Sequence, residues 1–164
     1  MYEKEVNSPK ASSMGRLFDA AASLISGHYL VASEGALALW LEKEAVRFAG
    51  KKELRQRELR SYPFGLGRRE GKYQIDPAPL FRALIGDLRS GRDKGEVSFI
   101  FHLTVAEMVK QVCLRLRRET AIKSVALSGG VWQNNILLRL ALDLLYKEHF
   151  QAIFHKKLSC NDSG

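Results

Sequence analysis

The stretch Val125-Ala126-Leu127-Ser128-Gly129-Gly130-Val131-Trp132-Gln133-Asn134-Asn135 decides the reading of this chain. Val125, Ala126 and Leu127 form a short apolar run after the polar Lys123 and Ser124, the pattern of an inner strand. Gly129 and Gly130 carry no Cβ, so the backbone can turn sharply there and a ligand can approach it closely. The apolar spacing then becomes helical through Ile136, Leu137, Leu138, Leu140, Ala141, Leu144 and Leu145. A strand, paired glycines and a helix start together offer backbone N–H groups at the positive end of a helix dipole, a ready site for phosphate. The same glycines would equally let a helix pack closely on a sheet, and the spacing leaves both readings open.

Downstream, Gln151-Ala152-Ile153-Phe154 reads as a second short strand, which completes a βαβ unit with parallel strands. Ligands in such sheets bind beyond the carboxyl ends of the strands. Two polar segments are expected at that edge: Ser128 to Asn135, and Ser159-Cys160-Asn161-Asp162. Upstream the chain is helical. Ser12 or Ser13 caps a helix with Leu17, Phe18, Ala21, Leu24 and Ile25 inward, and Asp19 sits in its first turns. A second helix begins near Ser33, with Glu34 early in it and Ala36, Leu37, Trp40, Leu41, Ala45 and Phe48 as its stripe. A hairpin is expected around the basic turn Gly67-Arg68-Arg69-Glu70-Gly71. Asp76-Pro77 opens a third helix. The longest helix runs from about Val97 to Arg118 with Phe101, Val105, Met108, Val109, Val112 and Leu116 apolar, and the lone His102 on it reads as a packed residue rather than a metal ligand.

A 46% hydrophobic content supports a real core in 164 residues. The net charge of +8 permits polyanion binding, but the basic residues fall mostly on helix faces and between Arg47 and Arg69, where a solvated face is the plainer explanation. Nucleic acid is therefore the disfavoured partner. Cys113 and Cys160 are far apart and lack CxxC spacing, so neither a disulfide framework nor a structural zinc site is indicated. No apolar run of membrane-spanning length and no secretory signal is read, and a cytoplasmic protein without a membrane partner is expected.

Five segments in order carry a resemblance: Ser12-Ser13-Met14-Gly15-Arg16-Leu17-Phe18-Asp19-Ala20, Glu34-Gly35 with Leu41-Glu42, Phe101-His102, Leu127 to Asn134, and Asn161-Asp162-Ser163-Gly164. Together they resemble the C-terminal part of the HypF-type carbamoyltransferases that mature nickel–iron hydrogenases. The resemblance covers nearly the whole chain and implies an α/β fold. This would be one lobe of the sugar-kinase, heat-shock-protein and actin-like ATPase fold, helix-rich with a small mixed sheet. Residues 1–164 would be the C-terminal lobe of a threonylcarbamoyl-transferase-like domain, truncated at both ends.

The resemblance also implies site roles. Asp19 would hold the nucleotide ribose, Gly129 and Gly130 would approach its phosphates, Ser128 and Asn134 would belong to the nucleotide site, and Glu34 is a weaker nucleotide carry-over. Asp162 would be a ligand of a divalent metal, whether iron, zinc or magnesium. The implied reaction moves a carbamoyl group from carbamoyl-adenylate, made from carbamoyl phosphate and ATP, to the C-terminal cysteine of a HypE-type partner. Chemistry agrees: a carboxylate accepts well from vicinal ribose hydroxyls, and N–H groups at a helix start hold a phosphate anion. The family's HxxxH metal histidines find no match among His28, His102, His149 and His155, and one carboxylate makes no tight metal site. The chain alone is accordingly expected to transfer little or no carbamoyl. A tRNA threonylcarbamoyl transferase is the alternative enzyme, and a non-catalytic nucleotide- or partner-binding remnant the alternative without chemistry.

Overall fold

The computed structural model describes residues 12–28, 35–50 and 59–154. Glu34, Asp162 and the whole 161–164 segment lie outside the described residues. The elements are α1 (Met14–Ser26), α2 (Ala36–Ala49), β1 (Gly65–Arg69), β2 (Lys72–Asp76), α3 (Ala78–Arg89), α4 (Lys94–Thr120), β3 (Ser124–Leu127), a 3-10 turn (Gly130–Gln133), α5 (Asn135–Lys147) and β4 (Gln151–Phe154).

Everything is arranged around α4. Its first half is buried on every side, from Gly95 to Met108 with few breaks, so α1, α2, α3 and α5 can all pack on it. Polar residues survive in this half because their groups are satisfied locally. Ser98 Oγ donates to the Lys94 carbonyl and Thr104 Oγ1 to the Ile100 carbonyl, both at 2.7 Å. Thr104 Oγ1 also accepts from the Tyr62 N–H at 2.8 Å, which ties the chain entering the hairpin to the core. The main core gathers Phe18, Ile25, Leu41, Leu80, Leu84, Phe101, Met108 and Leu137 from five helices. A smaller cluster of Leu127, Leu145 and Phe150 holds the β3–α5–β4 unit against the second half of α4. By length and composition α4 is long and apolar enough to cross a membrane, against the sequence reading; 56% of its most apolar stretch is buried inside the protein, as a central core helix requires.

The start of α4 lies three residues earlier than the sequence suggests. Asp93 accepts from the Glu96 N–H at 3.1 Å and caps the helix. Gly95, which looks like a loop residue, is where α2 and α4 touch: a Cβ there would lie 2.9 Å from the Glu44 carbonyl oxygen. A backbone carbonyl cannot swing aside. Gly95→Val should therefore cost about 2 kcal/mol through overpacking, read as a lower midpoint in urea unfolding.

The strands differ from expectation in two respects. The hairpin and the parallel pair are separate two-stranded sheets among the described residues, where a small mixed sheet is expected. In the hairpin Arg68 and Arg69 belong to β1, and the turn is Glu70-Gly71 with φ of 51° and 77°, the two-residue loop that needs positive φ at both positions. β3 and β4 pair in parallel, Ser124 with Gln151 through Leu127 with Phe154. Among the described residues β3 is not an inner strand: Ala126 is exposed and Ile153 on β4 is 63% exposed, because the described helices cover one face of the pair alone. Two residues expected to point inward, Leu24 and Leu116, are exposed as well.

Candidate functional site

The turn after β3 stands at the carboxyl end of its strand, where a βαβ unit presents its ligand edge. Ser128, Gly129 and Gly130 are exposed. Gly129 has φ 101° and nothing within 4 Å of where a Cβ would stand, so the backbone is open and only glycine is unstrained. The chain does not pass directly into a helix. It makes a 3-10 turn over Gly130–Gln133, with Trp132 N–H donating to the Gly129 carbonyl and Asn134 N–H to that of Val131. α5 begins five residues after Gly130, at Asn135, because Asn134 is its cap: Oδ1 accepts from the Leu137 N–H at 2.9 Å.

That cap changes the electrostatics foreseen for the turn. Glu42 reaches across from α2, and its Oε1 accepts from the Asn135 N–H at 2.7 Å. The positive end of α5 thus already carries a carboxylate of this chain. Two of the first-turn N–H groups of α5, those of Asn135 and Leu137, are thus already taken. The groups left for a phosphate in the turn are the N–H groups of Gly129, Gly130 and Val131, to which no hydrogen bond runs among the described residues.

Asn134 is held from its other end too. Its Nδ2 lies 2.9 Å from Nε2 of His102, whose Nδ1 lies 2.7 Å from the Ser98 carbonyl. A carbonyl only accepts, so Nδ1 carries the proton and Nε2 accepts from Asn134. His102 is fully buried, with Phe18 edge-on to its ring at 5.3 Å. Burial lowers its pKa from 6.5 to about 4, opposed by the bond to Ser98, so the ring is neutral at pH 7. His102 is thus the packed residue that the sequence suggests, with a polar duty the sequence does not disclose.

Asp19 lies on α1, which packs directly on the 3-10 turn. Its side chain is 39% exposed and pairs with Arg16 Nη1 at 3.5 Å. The structure therefore brings the helix of Asp19 and the turn of Ser128, Gly129, Gly130 and Asn134 together. Among the described residues no three His, Cys, Asp or Glu side chains gather as a metal site. Glu42 and His102 are the site residues not assigned a role from sequence. They lie 93 and 32 residues from their partners, and no local pattern announces such pairs.

The family described as carbamoyltransferase, Kae1-like domain, second subdomain, matches residues 1–164. The carbamoyltransferase HypF of Synechocystis is 30% identical over 95% of this chain, and a HypF homologue of Cupriavidus necator is 28% identical over all of it. The chain spans 18% of the first relative's length and 41% of the second's. Among solved structures, a full-length HypF in a phosphate- and nucleotide-bound form superposes with a TM-score of 0.84 at 33% identity, covering 98% of this chain and 20% of that one. The HypF of T. kodakarensis superposes with a TM-score of 0.75 at 27% identity, covering 97% of this chain and 19% of that one.

Proposed function

The chain belongs to the HypF carbamoyltransferase family, and from that premise we propose that it is one lobe of an ATPase-like nucleotide cleft that serves carbamoyl transfer. The observation that carries the proposal is the open, positive-φ Gly129 turn beside the helix of Asp19, in a chain that superposes closely on a HypF whose solved form holds phosphate and nucleotide. In this reading Asp19 accepts from the ribose hydroxyls, and the exposed N–H groups of Gly129 and Gly130 face the phosphate.

The substrate would be carbamoyl-adenylate and the acceptor the C-terminal cysteine of a HypE-type partner. The thiol sulfur forms the new S–C bond, the bond from the carbamoyl carbon to the phosphate oxygen breaks, and AMP leaves with that electron pair while the thiol gives up its proton. N–H groups aimed at the phosphate stabilise the charge that gathers on the leaving AMP. A divalent metal on Asp162 would polarise the carbonyl. The described residues supply no donor set for it, so no step is assigned to it.

Calorimetry of the chain with AMP tests the nucleotide reading. Binding that weakens about tenfold or more in Asp19→Asn is the expected result. Equal affinity in the variant overturns the ribose role, and the absence of binding to the unaltered chain overturns the nucleotide site.

A further inference from the structure

The Gly129–Asn134 turn hangs from the centre of the protein by a directed chain of hydrogen bonds. It starts at the Ser98 carbonyl on α4, runs through His102 Nδ1–H and Nε2, crosses to Asn134 Nδ2, and ends where Asn134 Oδ1 accepts from the Leu137 N–H. Each link has one sense. The carbonyl at one end only accepts and the backbone N–H at the other only donates, so the imidazole tautomer and the amide orientation between them are both determined. Among the described residues one of the two amide N–H bonds and one of the two Oδ1 lone pairs of Asn134 are used, and the other N–H and lone pair are held at a fixed angle. Glu42 fixes the next residue from a different helix, through the Asn135 N–H. Two side chains, one on α2 and one on α4, thus secure consecutive residues at the end of an exposed glycine turn.

We propose that His102 is a positioning residue of the nucleotide site, which orients the Asn134 amide so that its unused N–H and lone pair face a bound nucleotide. This rests on the nucleotide reading above and extends it inward, to a residue that never touches the ligand. A merely packed histidine would have no use for the tautomer chain, since a leucine would fill the same space among Phe18, Phe101 and the α4 turns. The cost of burying a polar ring in the core is accepted here together with an acceptor placed opposite an amide that caps the next helix. The cap takes one lone pair of Oδ1 and leaves the other, and Nε2, holding the amide from its nitrogen end, fixes the direction in which that second lone pair points.

The test uses the full chain with AMP as the probe, in three forms: unaltered, His102→Leu and His102→Gln. Leucine keeps the volume and removes the acceptor. Glutamine can place Oε1 near the position of Nε2 and accept from Asn134. His102→Leu should bind AMP about tenfold more weakly, and His102→Gln should recover most of that loss. Without nucleotide, nitrogen-15 spectra should show neutral His102 protonated at Nδ1, and His102→Leu should shift the Asn134 side-chain amide resonances while His102→Gln returns them toward their parent positions. If His102→Leu fails to fold, the comparison of His102→Gln with Asn134→Ala carries the test: tight binding in the first and weak binding in the second support the proposal, and equally weak binding in both overturns it. AMP affinity unchanged in His102→Leu, or a ring protonated at Nε2, overturns the positioning role and leaves the nucleotide site standing. Failure of the unaltered chain to bind AMP overturns the site and the positioning role together.

Discussion

Between pH 6.5 and pH 4 this protein should lose about 3 kcal/mol of stability through one side chain, His102, whose pKa falls from 6.5 to about 4 on folding. Burial is the cause, and the direction follows from proton counting. Above pH 6.5 the ring is neutral in both states and the contribution is complete. Between the two values the unfolded chain binds a proton that the folded chain refuses, so each step toward acid favours unfolding. The loss levels off once the folded ring also titrates. Against a typical total stability of about 5–15 kcal/mol this is a large fraction. Urea unfolding from pH 7.5 to pH 4 measures it, and His102→Gln supplies the reference. Every other titratable group is common to the two proteins, so the difference between the two profiles belongs to His102. Parallel profiles would show that the ring is not buried neutral.

Asn134→Ala should destabilise the fold by about 2–3 kcal/mol. It removes the α5 cap, about 1 kcal/mol, and leaves buried Nε2 without its donor, about 1–2 kcal/mol more. Asn134→Asp separates the two roles. One carboxylate oxygen still caps the Leu137 N–H, but the other meets the Nε2 lone pair. The variant is relieved only if His102 takes up a proton, which makes a buried ion pair. Its folded-state histidine pKa should therefore rise rather than fall. Stability in the variant should then be lost as pH rises through that pKa, the reverse of the parent. The same urea series at five or six pH values reads this, and a slope of unchanged sign in Asn134→Asp would contradict the contact between the two side chains.

The fold was legible where chemistry is local. Asp76-Pro77 before an apolar periodicity marked α3, the glycines around Arg68-Arg69 marked a hairpin though with a turn of five residues where the structure has two, and β4 stands on the run Gln151-Ala152-Ile153-Phe154 as read. The start of α4 was not, because Arg92-Asp93-Lys94-Gly95-Glu96 has the composition of a loop. Its helix is made there by the Asp93 cap and by the need for a bare Cα against α2. The candidate site divides in the same way. The glycine turn and the apolar face of α5 declare themselves in sequence. The 3-10 turn between them, the Glu42 carboxylate at the helix start and the His102–Asn134 pair come from tertiary placement, which periodicity does not encode. Leu24 and Leu116 show the converse: helical spacing gives a face, and only packing decides how much of that face is covered.

The central burial of α4 also sets a hierarchy of opening events. Amide protons from Ile100 to Met108 can exchange with solvent only when helices on several sides separate, which amounts to unfolding the whole structure. The hairpin and the β3–β4 pair need no such event, since among the described residues each is two strands wide with an uncovered side. In a deuterium-exchange experiment the middle of α4 should be the last to label, at the rate of global unfolding. The strand amides should label through small local openings. The turn that begins at Gly129 joins these two regimes: it follows closely on the fast-opening strand β3, while Asn134, through His102, is tied to the helix expected to label last.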